Sequence, residues 1–368
     1  MTELQTFLQS VKQTTDDVFM SYPVIQSLAM DEKWTFSNDK KIPMDATFYY
    51  LTGAYQAART VNVQTSPLMN LYQLNQLYET APFKWNNRTY QFNAKNNRTI
   101  MIDIESHASE QIKQWGISYP CHYLEASKNN GLHLLIQVPE DLIPDDCKYL
   151  FELTVIKHPS TEFEVIFNKH YATFTKKVIQ CQYADYVNNE QHRELLRLFL
   201  KGLSKIKTEE QYLLAKKMKE NPIKIEPENQ NQIDAFIDAV SNVVEQTKLK
   251  AKKTHTLEKY NDYSKYEYLT MLEISKTIYK YFKFYQTQKK RKANTSSELM
   301  DTLEQLSESD YVYIVWTIGK DIIPERAKHH ELRDAMPFLL YLANKAWQYV
   351  KVSDENKNFL NKKSTVNV

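Results

Sequence analysis

The chain has 368 residues, 42% of them apolar and 25% charged, with a net charge of +2. Those proportions fit a soluble globular protein of about two domains, and no apolar run approaches the length of a membrane-spanning helix. Only five glycines are present where about 7% usage would give roughly twenty-five, and no two lie close enough for a P-loop or a Rossmann dinucleotide turn.

Residues 1–30 have helical spacing at Leu4, Phe7, Leu8 and Val11 and lack the basic start and apolar stretch of a signal peptide. Short extended pieces around Lys33–Phe36 and Lys40–Met44 flank a turn at Asn38-Asp39, and helical spacing returns over 46–79. From Trp85 the pattern changes to strands at Arg88–Phe92, Thr99–Ile104, Cys121–Ala126, Leu132–Val138, Leu150–Val155, Phe163–Phe167 and Tyr171–Phe174, with a helix near 107–115. Helical spacing resumes from Asn188 to Lys219. Residues 220–232 hold two prolines and read as a linker; 233–352 read as helices only, and 353–368 as a polar tail. This divides the chain into an α+β domain over 1–219 and an all-α bundle over 233–352. Three scattered cysteines, Cys121, Cys147 and Cys181, indicate a reducing, cytoplasmic setting, and without CxxC pairing no zinc is expected.

Three segments carry chemistry. In Ile102-Asp103-Ile104-Glu105, strand alternation puts both carboxylates on one face, where two acids about 6.5–7 Å apart suit a pair of divalent cations. In Gly131-Leu132-His133, a turn at Lys128–Gly131 presents His133 on the face opposite Leu132 and Leu134. In Phe163-Glu164, Glu164 turns away from an apolar reverse, and Lys169, His170, Thr175 and Lys176 follow where they could meet phosphates.

Taken in order, these segments resemble the archaeo-eukaryotic primase superfamily, above all the primase-polymerases of plasmids, phages and other mobile elements. The family pattern is a hydrophobic-flanked DxD/E, a small residue-x-His and a hydrophobic-D/E. Glu125-Ala-Ser127-Lys-Asn-Asn-Gly131-Leu-His133 is similar to a longer stretch in many relatives, and Trp34 and Lys41-Ile-Pro43 to early family signals. Asn129-Asn130 replace the usual Ser-Gly, and His170 stands where Arg is common. The resemblance covers about residues 30–180, with its motifs within 99–177. It implies an RRM-like antiparallel sheet with helices, and Asp103, Glu105 and Glu164 holding Mg²⁺ or Mn²⁺. His133 would contact an incoming NTP or dNTP, with Gly131, Ser127, Lys128, Lys169 and His170 around the phosphates. The implied activity is primer synthesis on single-stranded DNA, with the helicase or initiator on a separate chain. On this reading Gly131 is a glycine because a side chain would crowd the triphosphate.

Between Lys248 and Lys292 stand thirteen lysines and arginines against four acids, a net +9 that leaves −7 for the remainder. Lys276, Lys280, Lys283 and the run Lys289, Lys290, Arg291, Lys292 form the candidate DNA-binding face. Two alternatives accompany the primase reading. One is a DEDD-type 3′–5′ exonuclease, built on Asp103-Ile-Glu105-Ser106 with His329 and Asp334; the other is a non-catalytic nucleic-acid-binding or helicase-loading protein.

Overall fold

The structure is a computed structural model describing residues 3–58, 68–226, 228–260, 262–291 and 298–365, without the side chains of 288–298 and 356–368. The protein is α+β, and the chain divides into two compact units, Met1–Tyr212 and Leu213–Val368.

In the first unit the strands are β1 (Trp34–Thr35), β2 (Arg88–Asn93), β3 (Thr99–Ile104), β4 (Tyr123–Ala126), β5 (Leu132–Gln137), β6 (Val155–Lys157), β7 (Phe163–Ile166) and β8 (Asn168–Phe174). Among the described residues they form a five-stranded sheet in the order β4-β5-β3-β7-β6 and a three-stranded sheet in the order β1-β2-β8, antiparallel throughout. β3 is central because both faces of it are needed. Ile100, Ile102 and Ile104 point to one side and join Leu132, Leu134, Leu124 and Val165 in a core closed by helices Glu110–Ser118 and Glu190–Ile206. Gly116 lets the first of these helices press onto β3, since a Cβ there would lie 2.4 Å from Ile104 Cδ1.

On the opposite face Met101, Leu135, Tyr123 and Ile166 join a second core with Trp34, Tyr90 and Phe174 of the small sheet. Trp34 is fully buried and donates its indole N–H to Leu28 O at 2.8 Å, which ties β1 to helix Pro23–Ala29. The small sheet therefore covers one end of the large sheet's second face.

Several elements depart from the sequence reading. The strand expected at Leu150–Val155 is a 3₁₀ segment, Asp145–Glu152, followed by β6; Cys147, Leu150 and Phe151 recur at helical spacing and all turn inward. The helical stretch 46–79 appears as Ala46–Thr52, stopped by Gly53 at φ 69°, and Leu71–Thr80, started by an Asn70–Gln73 capping box. Residues 59–67 of that stretch lie outside the described residues.

The second unit is a bundle whose long helices Tyr263–Arg291, Glu308–Lys320 and Phe338–Thr365 pack around Met271, Ile278, Ile314, Ala343 and Trp347. It is not purely helical: Leu332–Arg333 pairs with Met336–Pro337 around Asp334 and Ala335, both at positive φ, the backbone a two-residue hairpin demands. The last helix continues into the stretch read as a polar tail, as far as Thr365. The Pro-bearing stretch 220–232 is packed at Ile223 and Ile225, and the Glu226 amide donates to Ser309 Oγ at 3.0 Å; the division between units instead falls between Tyr212 and Leu213. No helix of the described residues is long and apolar enough to cross a membrane.

Inside this unit Glu267 is buried. It accepts from Arg326 Nε at 2.5 Å and Nη2 at 2.6 Å and lies 2.8 Å from His329 Nε2. Removing one partner of a buried ion pair costs about 3–5 kcal/mol. Arg326→Met should lower stability by about 3 kcal/mol, the low end because His329 stays. Chemical denaturation of the variant checks this, and an unchanged midpoint would mean Glu267 reaches water.

Candidate active site

Strand register assembles the site. In the large sheet Glu125 (β4) opposes His133 (β5), His133 opposes Asp103 (β3), Asp103 opposes Glu164 (β7), and Glu164 opposes Lys157 (β6). Directly opposed residues project to the same face with Cβ atoms about 4.5–5.5 Å apart, so five charged or ionisable side chains form one row across five strands. The next row on that face, Tyr123, Leu135, Met101 and Ile166, is apolar and buried under the small sheet. The polar row thus begins where the small sheet's cover ends.

His133 is held from one side. Its Nδ1 lies 2.7 Å from Glu125 Oε1, while Nε2 stands 3.6 Å from Asp103 Oδ1, beyond hydrogen-bond range. Glu125 is wholly buried and also accepts from the Tyr123 hydroxyl (2.7 Å) and from the amides of Thr175 and Lys176 (2.9 Å each). An ionised carboxylate accepts only, so the proton between Glu125 and His133 belongs on Nδ1. Burial alone would push the His133 pKa down, but Asp103 and Glu125 outweigh it and the net shift is upward, slightly opposed by Lys41.

The acids are placed unequally. Asp103 keeps a quarter of its side chain exposed. Glu164 is nearly buried, with Lys157 Nζ at 3.3 Å and His170 Nε2 at 3.9 Å. Glu105 lies one residue past β3, its amide bonded to Glu162 O at 2.8 Å. Among the described residues no group of three or more His, Cys, Asp or Glu side chains is gathered to hold a metal ion by itself.

No protein-family model matches the chain. No curated protein matches it either. The residues must therefore be weighed by their own surroundings.

The turn before His133 has a structural explanation. A Cβ on Gly131 would lie 2.1 Å from Ile104 O and 3.2 Å from Glu105 C, so what a side chain would crowd is the backbone of β3. Ser127 is buried and closes the turn, its Oγ accepting from the Gly131 amide at 2.9 Å. Lys128 reaches Asp39 O at 2.8 Å. Lys176 is buried too, with Nζ 2.9 Å from Asp16 Oδ1 and 3.2 Å from Asn86 Oδ1, and Thr175 Oγ1 donates to Ala126 O. Lys169, exposed at φ 55°, and half-exposed His170 are the basic groups of β8 left at the surface.

In the second unit Lys276 lies 3.7 Å from Glu273, and Lys283 pairs with Asp354 at 2.6 Å. Lys280 is exposed beside Tyr281 and Phe284. The side chains of Lys289, Lys290 and Arg291, and all of Lys292, lie outside the described residues. His329 is committed to Glu267.

Sequence reading missed Glu125, Lys157 and Lys41 as parts of the site. One signal was available for the first: Glu125 and His133 are equidistant from Asn129, so a symmetric hairpin puts them opposite each other.

Two outcomes follow from this geometry. Gly131→Ala should destabilise the first unit by about 1–3 kcal/mol, because the obstructing atoms are backbone; thermal or urea unfolding of the variant measures it. The His133 ring should titrate above its ordinary value of about 6.5 in an NMR pH series, and Asp103→Asn should bring the midpoint down. With a raised folded pKa, the stabilisation from the charged ring is complete below about pH 6.5 and disappears as pH rises through the folded value.

Proposed function

We propose that the protein is a nucleotidyltransferase of the primase-polymerase type that builds primers on single-stranded DNA from NTPs or dNTPs. The observation that carries this reading is the register of β3, which sets Asp103 directly between His133 and Glu164 on an open part of the sheet. Three motifs separated in the chain thereby share one row.

The donor set suits a hard cation. Mg²⁺ is usually held by one or two carboxylates together with substrate phosphates and water, so Asp103 and Glu164, with Glu105 at the strand end, fit Mg²⁺ or Mn²⁺ without a complete protein cage. Such ions lower the pKa of an attacking hydroxyl and offset charge on a triphosphate. His133 contributes separately. Glu125 fixes its ring, the raised pKa favours the imidazolium, and Nε2–H is left without a hydrogen-bond acceptor among the described residues, a donor suited to a phosphate oxygen. Lys41 and Lys157 add positive potential around it.

The exonuclease alternative draws its histidine from His329, which is already engaged by Glu267. A helicase or initiator on a separate chain remains part of the proposal, with the helical unit as the module to engage it.

Purified protein incubated with single-stranded DNA, labelled nucleotides and Mg²⁺ or Mn²⁺ should yield extended product, and Asp103→Asn should reduce it to background with unchanged circular dichroism. No product with either metal, or degradation of the labelled DNA, would overturn the proposal.

A further inference from the structure

A second feature of the first unit is unexplained by the polar row. Residues 36–58 form a loop-and-helix knuckle anchored in the core at Phe36, Met44 and Ala46 and exposed at 39–42 and 50–57. Its loop is fixed by Asn38, whose Oδ1 accepts from the amides of Lys40 (2.9 Å) and Ile42 (3.0 Å) and whose own amide donates to Ile42 O at 3.0 Å. The loop touches the site's turn through Lys128 and Asp39 O at 2.8 Å. The helix that follows, Ala46–Thr52, is capped by Asp45, which accepts from Phe48 N at 2.8 Å and Gln56 Nε2 at 3.1 Å.

The underside of the knuckle is braced by rings. Tyr49 stacks on Tyr55 with centroids 4.8 Å apart, the Tyr55 hydroxyl accepts from Lys84 N at 2.8 Å, and the Tyr49 hydroxyl donates to Pro82 O at 3.1 Å. The outer side is left bare: Tyr50 is 65% and Leu51 73% exposed. Two adjacent apolar side chains on a braced helix thus present a small contact surface to solvent.

Charge selects the partner. Asp45 is spent on its cap, and Asp39 has Lys128 beside it at 3.8 Å. Lys40, Lys41 and Lys84 have no ion-pair partner among the described residues, and Lys84 sits 5.4 Å over the Trp85 ring. One exposed ring, Tyr50, on the same short segment as the uncompensated Lys40 and Lys41 matches the two faces of a single strand, a base on the ring and phosphates on the ammonium groups.

We infer that the 36–58 knuckle is a landing surface for single-stranded nucleic acid, with bases packing on Tyr50 and Leu51 and phosphates meeting Lys40, Lys41 and Lys84. The inference rests on the proposed function only in taking that strand to be the template.

The test is fluorescence anisotropy of labelled oligothymidylate with the full chain in EDTA, where no synthesis can occur. Tyr50→Ala with Leu51→Ala should weaken binding about tenfold, within the range for losing base–aromatic stacking, at unchanged salt dependence. Tyr50→Phe alone should bind as the wild type does. Lys40→Gln with Lys41→Gln should instead reduce the log–log salt slope by about 0.7 for each phosphate that is no longer neutralised. The substituted side chains are exposed, and matching unfolding midpoints will show that the fold is kept. Equal affinity of the Tyr50/Leu51 variant and wild type would overturn the inference and leave the proposed function standing. Weakened binding in that variant, from a wild type that makes no primer, would support the inference while the proposed function fails. Wild type that binds no strand, or a self-association abolished in the variant while oligonucleotide affinity is unchanged, would also overturn the inference.

Discussion

The carboxylate of Glu125 has no contact with water, yet four groups converge on it: the Tyr123 hydroxyl, the His133 ring, and the amides of Thr175 and Lys176. A buried anion is tolerated only when its lone pairs are satisfied, so these donors must stay where they are. Tyr123 and His133 belong to the large sheet, while Thr175 and Lys176 leave the end of the small sheet's β8. One carboxylate therefore joins the two sheets and orients the only histidine of the polar row. Lys176 extends the arrangement, since its buried Nζ shares Asp16 with the buried guanidinium of Arg88.

β3 supplies the second constraint. Its odd-numbered residues face both the small sheet and open space along a single strand: Met101 is covered and Asp103, two residues on, is not. Its even-numbered residues are all core. Slipping the register by one residue would exchange these sets and bury the acid, so apolar packing on the reverse also places the carboxylate. Gly131 serves the same end from the neighbouring hairpin, lying against the backbone at the strand's last residue.

The helical unit shows how charge counted along a sequence changes meaning in a fold. The +9 of residues 248–292 suggests a basic face, but Lys248, Lys250, Lys276 and Lys283 lie against Glu245, Asp321, Glu273 and Asp354. Two of these four acids, Asp321 and Asp354, lie beyond the end of the counted stretch, and exposed pairs of this kind contribute about 0–1 kcal/mol each. Their larger effect is to lower the positive potential that the count implies.

Local periodicity was enough to find most strands of the first unit: Thr99–Ile104 agrees residue for residue, and β2, β5 and β7 agree to within a residue. It was enough because period-two alternation is set by the backbone itself. It failed at Leu150–Val155, where a short apolar run suits a strand and a 3₁₀ turn equally and only the packing of Cys147, Leu150 and Phe151 chose between them. Asp103, His133 and Glu164 were each recognisable as an acid or histidine on a strand with an apolar reverse. Their meeting in one row, the addition of Lys157 and Lys41, and the reason for Gly131 depend on which strands pair. Pairing is decided by burial summed over residues far apart in the chain, and no local pattern records that sum.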